Sequence, residues 1–318
     1  MLILSKISIL NSNTIIIKVN ICQLLCYHRH MSSLEIRRLE KYEFPTLLAE
    51  IPQPPTELWA AGNLPAPDLA LLTVVGSRQY TTYGKQVIEH LLSGLTDYPV
   101  GIVSGLALGV DGLVHEACIR YGLYTLAVPG SGLHESVLYP ASHRNLARSI
   151  LDAGGGLLSE LSPLTKAALW TFPQRNRIMA GMCHATLLIE AGAKSGTLIT
   201  ARMCVDYNRE LLVVPGSIFS GNSAGTHQFL KLGATPVTCS KDILVVLGIE
   251  PITDMSPKTL PLLSALESKV LGHLHNPTDR DSLIRLLALP ANEASVLLMQ
   301  MEMSGYIAVA GNQYRSII

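Results

Sequence analysis

From Leu69 to Gly216 the apolar residues come in short unbroken runs, and most runs are followed by a stretch with helical spacing. The runs are LALLTVVG (69–76), VGIVSG (100–105), YTLAVPG (124–130), GLLSE (156–160), ATLLIEA (185–191) and ELLVVPG (210–216). Continuous apolar runs bounded by glycine or a turn are the mark of strands covered on both faces. Helices are expected from about Tyr83, over 109–122, over about 142–152, and over LITARMCVDY after Thr197. This βα rhythm predicts an α/β fold with a doubly wound, mostly parallel sheet. Ligands of such a sheet gather at the carboxyl ends of its strands, so loops 76–78, 104–105, 129–133, 160–163, 190–197 and 215–225 are expected on one rim.

The flanks read differently. Residues 1–30 are rich in Ile and Leu but interrupted by Lys6, Asn11, Asn13, Lys18 and Asn20, with no run long enough for a bilayer and no signal-peptide pattern. They read as a disordered or mis-annotated tail with Met31 as the natural start, leaving 31–250 as the main domain. From Tyr42 to Trp59 a Pro-rich lead is expected along a sheet edge. A linker is expected over 251–261. Residues 262–318 carry helical patterns at about 262–274, 281–287 and 292–304, then a hairpin turning at Gly311-Asn312, which predicts a small winged helix. Its expected recognition helix has Glu293 and Glu302 and no Lys or Arg, so it reads as a protein-contact or stabilising unit.

The composition, 48% hydrophobic with 15% charged residues, supports a large core. Lys+Arg and Asp+Glu both number 24, so a polyanion would have to be held by a local patch. The six scattered cysteines suit reduced thiols in a cytoplasm. Neither His115 with Cys118 nor Cys22, Cys26, His28 and His30 reads as a complete metal set, and no cofactor is expected.

The densest stretch of candidate chemistry is Trp170–Arg202. Phe172-Pro173-Gln174-Arg175-Asn176-Arg177 reads as a basic loop that Pro173 keeps out of a helix. Glu190 to Thr197 reads as a small-residue loop between a strand and a helix start, where free N–H groups, Lys194, Ser195 and Thr197 would hold an anion. Gly76-Ser77-Arg78 occupies the first strand-to-helix turn without a G-x-G-x-x-G fingerprint, which favours phosphate over a dinucleotide. Residues 103–112 form a second glycine-bearing turn that lacks the Gly-Lys-Ser/Thr of a P-loop, with Asp111 at the helix start. There is no G-x-S-x-G or H-E-x-x-H; Asp111, His115, Glu160 and Glu190 are the candidate acid–base groups. Glu160 and Glu190 read equally as partners of Arg175 or Arg177.

Taken in order, Val75-Gly76-Ser77-Arg78, Ser104-Gly105-Leu106-Ala107, Gly132-Leu133, Tyr139-Pro140, Phe172-Pro173, Arg175-Asn176-Arg177-Ile178, Lys194-Ser195-Gly196-Thr197-Leu198-Ile199-Thr200-Ala201 and Val214-Pro215-Gly216 resemble the DNA-processing protein A (DprA/Smf) family. The resemblance spans about Tyr42 to Leu247. It implies an extended Rossmann-like domain that forms homodimers and binds single-stranded DNA without sequence preference. It also implies a role in natural transformation, loading a RecA-type recombinase in the cytoplasm, with no enzymatic activity and no membrane contact. Arg78, Gly105, Phe172, Arg175 and Lys194 are expected to line the DNA pocket. Gly76, Ser77, Ser104, Asn176, Arg177 and Ser195 are expected beside them. Leu108 stands where the family often has Arg, and the helical domain that many members carry before the position of Tyr42 has no counterpart here. Two other readings are a nucleotide-hydrolysing enzyme, for which Pro129-Gly130-Ser131-Gly132 partly matches the loop of phosphoribohydrolases, and a winged-helix transcription regulator.

Overall fold

The computed structural model describes residues 35–251, 263–310 and 313–317. The expectations for residues 1–30 and Met31, for the linker beyond Pro251 and for the Gly311-Asn312 turn lie outside them, as do Cys22, Cys26, His28 and His30.

Among the described residues a sheet of nine strands runs in the order β1-β2-β6-β5-β4-β3-β7-β8-β9. Strands β3 (Ala70–Val75), β4 (Val100–Ser104), β5 (Thr125–Ala127), β6 (Gly156–Ser159), β7 (Ala185–Leu188) and β8 (Glu210–Val213) are the six predicted runs, and all pair in parallel. The order reverses at β3, which lies between β4 and β7, as in a doubly wound fold. The lead segment does more than line an edge: β1 (Ile36–Arg38) and β2 (Trp59–Gly62) join the sheet antiparallel, β2 against β6. At the far edge β9 is only Thr235–Pro236, and Pro236 has no N–H for a further strand.

Side chains alternate across the sheet, so each strand feeds two cores. On one face Leu71, Val75, Val103, Leu188 and Val213 pack with Ile178 and Met179 of α4 (Thr171–Met182) and Ala201 and Cys204 of α5 (Thr197–Asp206). On the other, Leu72, Val74, Ile102, Leu187 and Leu212 meet three helices. These contribute Ile88 and Leu91 from α1 (Thr82–Ser93), Val110 and Val114 from α2 (Val110–Tyr121), and Ile243 from α7 (Ser240–Val246). A third cluster seats α3 (Arg144–Asp152) through Ala147 and Ile150, and α6 (Ala224–Lys231) follows β8. Cys118, Cys183, Cys204 and Cys239 are free thiols, and burial pushes Cys118 and Cys183 up to about 12.

The C-terminal unit is a winged helix: α8 (Ala265–His273), β10 (Thr278–Asp279), α9 (Arg280–Leu287), α10 (Ala291–Met303), β11 (Ile307–Ala310) and β12 (Gln313–Ser316). Its sheet order is β10-β12-β11. Ser264 and Glu267 form a capping box on α8, and Asp279 caps α9 through the Ser282 N–H. Val270, Leu283, Leu287, Ala294, Leu298 and Met301 close its core. The outward face of α10 carries Glu293, Val296, Met299, Gln300 and Met303. Among the described residues no single helix is long and apolar enough to cross a membrane. The bent pair α9–α10 has the composition, but its apolar face is this core.

Candidate nucleic-acid interface

The carboxyl ends of β3 and β4 and the first turns of α4 and α5 enclose a cleft of about 230 Å³. Gly76, Arg78, Ala107, Asp111, Phe172, Arg175, Asn176 and Thr197 line it, with the exposed Leu169 and Ile199 at its lips.

Phe172-Pro173-Gln174-Arg175-Asn176-Arg177 is not a loop. It is the first half of α4, because Pro173 falls in the first turn, where an N–H has no intrahelical acceptor to lose. The helix start is pinned by Thr171, whose Oγ1 donates to Gly130 O (2.6 Å) and accepts from Ala168 N (3.1 Å). Phe172 then lies against Gly130, where a Cβ would stand 2.6 Å from the ring. Tyr139 meets the ring edge-on at 5.7 Å, and the exposed Arg78 guanidinium sits over it, 5.5 Å from the centroid.

A helical frame sends alternate arginines to different places. Arg175 turns inward: Nη1 donates to Val128 O (2.6 Å) and to Gly105 O, and Nε donates to Asn176 Oδ1 (3.0 Å). Gly105 is required there, since a Cβ would lie 1.8 Å from Arg175 Nη1 and 2.5 Å from Asp111 Oδ2. Asp111 heads α2, accepts from Ala107 N at 3.2 Å and faces Arg175. Burial raises its pKa, opposed by Arg175, nearby amide N–H groups and Arg78. Burial likewise lowers the pKa of Arg175, opposed by Asp111. Arg177 points away from the cleft, pairing with Glu160 and donating to Gln53 O (2.5 Å).

The first turn rests on the second. Gly109, at φ +85°, approaches the carbonyls of Ser77 and Arg78 closely, and Val110 N donates to Ser77 O (3.1 Å). Leu106 holds φ +61° with its side chain fully buried and its carbonyl on His143 Nδ1 (2.9 Å), a backbone held left-handed beside the cleft. Ser104 is buried, its hydroxyl donating to Val74 O (2.7 Å). Ser77 Oγ closes its own turn on Gln79.

The loop before α5 differs from an open anion nest. Thr197 N is taken by Ser195 Oγ (3.3 Å), while Leu198 N and Ile199 N donate to Ser195 O and Gly196 O. Thr197 Oγ1 donates to Gly76 O (3.0 Å), fastening α5 to the first turn. What remains for an anion is the helix dipole and the exposed Lys194. Glu190 is buried and receives the N–H (2.9 Å) and hydroxyl (2.5 Å) of Thr81, which caps α1; it pairs with neither arginine. His115 is buried against Thr125 Oγ1 (2.7 Å).

Residues 35–248 match the family model for DNA recombination-mediator protein A, and residues 255–312 match the DprA winged helix domain. The chain belongs to the DNA recombination-mediator protein A family. It is 32% identical over 279 residues to Protein Smf of Escherichia coli, covering 85% of this chain and 74% of that protein. It is 37% identical over 201 residues to DNA processing protein DprA of Streptococcus pneumoniae, covering 63% and 70%. The structure of that pneumococcal DprA aligns with a TM-score of 0.62 at 34% identity over 69% of this chain and 77% of its own. A DprA structure from Helicobacter pylori, described for its single-stranded DNA binding mode, aligns with a TM-score of 0.60 at 25% identity over 67% and 96%.

Within this DprA-type framework the structure gathers Gly76, Arg78, Phe172, Arg175 and Asn176 at one cleft, with Lys194 and Ser195 on the adjoining loop. Ser104 and Gly105 lie beneath it and Arg177 lies behind α4. Leu169 was not singled out from the sequence, and Tyr139, Ile199 and Thr200 carried a signal only as parts of family motifs.

Proposed function

We propose that this protein binds single-stranded DNA without sequence preference along the rim formed by Arg78, Phe172 and Lys194. The observation that supports it most is the pairing at the cleft mouth of an exposed guanidinium with an aromatic face, both held on a rigid base. A cation tracks the phosphates while the ring accepts any base, a stacking contact worth about 1–3 kcal/mol. Arg175 and Asp111 serve as the floor beneath them. At the cleft the cations Arg78 and Arg175 stand against the carboxylate of Asp111, and Lys194 on the adjoining loop adds to a local positive excess in a chain of zero net charge.

The finer role belongs to the same proposal: a homodimer in the cytoplasm that delivers the strand to a RecA-type recombinase during natural transformation. The support is family membership. Binding rather than turnover is favoured because Glu160, Glu190 and His115 are committed to Arg177, Thr81 and Thr125. Sequence-specific duplex reading is disfavoured by α10, which offers carboxylates and apolar side chains to a groove lined by phosphates.

Anisotropy of a labelled oligo-dT tests the proposal, with wild type and Arg78→Ala/Lys194→Ala measured across salt concentrations. Binding should weaken with salt, and the folded double variant should bind weakly with a salt slope smaller by about 1.4, two contacts at about 0.7 each. Salt-independent binding, or a double variant that binds like wild type, refutes it.

A further inference from the structure

The rim continues past the cleft. Parallel strands lie about 4.8 Å apart, so the loops after β3 and β8, two steps along the sheet, begin about 10 Å apart, the length of about three stacked nucleotides. The loop after β7 with Lys194 lies between them. The loop after β8, Gly216-Ser217-Ile218-Phe219-Ser220, presents Phe219 at 93% and Ile218 at 80% exposure. Isolated exposed aliphatic residues are ordinary, but a phenyl ring held almost wholly in water on a ligand-binding rim calls for an explanation.

This loop is fixed rather than floppy, and it is tied to the site. Tyr83 Oη donates to Pro215 O (2.6 Å), His227 Nε2 lies 3.1 Å from Gly216 O, and Phe219 N donates to Ser217 Oγ (3.2 Å). Asn222 Nδ2 donates to Gln79 O (2.8 Å), one residue from Arg78, and Asn222 O accepts from Ala191 N (2.8 Å) in the Lys194 loop. From Gly216 to Gly225 there is no carboxylate to repel a phosphate.

We infer that Phe219 is a second base-stacking platform, which takes a nucleobase of the strand that Arg78 and Phe172 hold and so extends the DNA track across the Lys194 loop to β8. The inference rests on the single-strand reading of the cleft and adds a subsite to it. Phe172 and Phe219 mark its two ends, with the cations Arg78 and Lys194 between or beside them, and the strand bridges them through its backbone.

The test compares Phe219→Ala and Phe219→Trp with wild type. The ligands are a labelled dT oligomer of about 20 nucleotides and an abasic deoxyribose-phosphate oligomer of the same length. Phe219→Ala should weaken dT binding about tenfold, the low-to-middle range for one lost stack, and leave abasic binding and the salt slope unchanged. Phe219→Trp should restore dT binding. Equal losses on dT and abasic strands, or no loss on either while Arg78→Ala/Lys194→Ala abolishes binding, overturns the second platform and leaves the cleft reading standing. A change in molecular mass by light scattering with the dT-to-abasic ratio unaltered also overturns it, assigning Phe219 to a protein contact. Failure of wild type to bind dT removes both readings together.

Discussion

Arg175 is a member of the cleft by position, yet its hydrogen bonds face the protein, so its removal should unmake the site rather than merely discharge it. In Arg175→Ala, Gly105 O and Val128 O lose a charged donor and Asp111 loses the cation it faces. Hydrogen bonds to a charged group are each worth about 1.5–3 kcal/mol, and removing one partner from buried opposite charges costs about 3–5 kcal/mol. A loss of about 4 kcal/mol follows, since these terms overlap. In a domain of this size that lowers Tm by roughly 8–16 °C. The cost also depends on pH. Asp111 already has a pKa raised by burial above the 3.8 of a free carboxyl, so its ionisation removes stability as pH rises through the folded-state value. Without Arg175 that value rises further, and the Arg175→Ala penalty should be smallest in acid and largest at neutral pH. Asp111→Asn in the same chain should recover part of it. Urea unfolding of the two single variants and the double variant at pH 5 and pH 7.5 closes the cycle. Additive losses with no recovery, or an Arg175→Ala protein as stable as wild type, would refute the view of Arg175 as the floor of the cleft.

Arg177→Ala should cost about 2–4 kcal/mol in urea unfolding through loss of the Glu160 pair and the Gln53 contact, while oligo-dT affinity of the folded fraction stays unchanged; reduced affinity at full folding would return Arg177 to the DNA track. His115 has its pKa pushed down to about 3 by burial, then by the positive fields of His143 and Arg175. The unfolded chain binds a proton near pH 6.5 that the native state refuses, so stability falls as pH drops below 6.5, by about 2 kcal/mol at pH 5. His115→Gln should lessen that acid sensitivity in paired urea titrations; an identical pH profile would show that His115 contributes nothing to it.

The six parallel strands were legible because runs such as ALLTVV and ATLLI have no polar face to show water, which only a doubly covered sheet tolerates. The edges were less so. Trp59-Ala60-Ala61-Gly62 is too short and too plain to declare itself a strand, and becomes one by pairing with β6. In the site, Arg78 could be read from its turn, since the residue after a strand end is exposed to the rim whatever follows. The fate of Arg175 and Arg177 could not. Pro173 suggests a break, but proline forbids only a helix interior, and its place in the first turn depends on Thr171 being anchored to Gly130, far away in sequence. Once α4 is a helix, 3.6-residue geometry sends the two guanidiniums to different surroundings. The N–H groups before α5 were misjudged for a related reason: Ser195 and Gly196 satisfy them locally, a choice of turn type that composition does not reveal.

The contact between Arg78 and Phe172 sets a condition on any guest. The guanidinium lies over the ring that the proposed base stack would use, so a base must displace it to reach that face. Such an exposed contact is worth about 0.5–1 kcal/mol, little enough to yield to a base. On the proposed reading the displaced arginine becomes the cation for the phosphate that arrives with the base. On that reading one movement would open the seat and supply the clasp, and a strand bringing a base without its phosphate, or a phosphate without its base, would complete only half of the exchange.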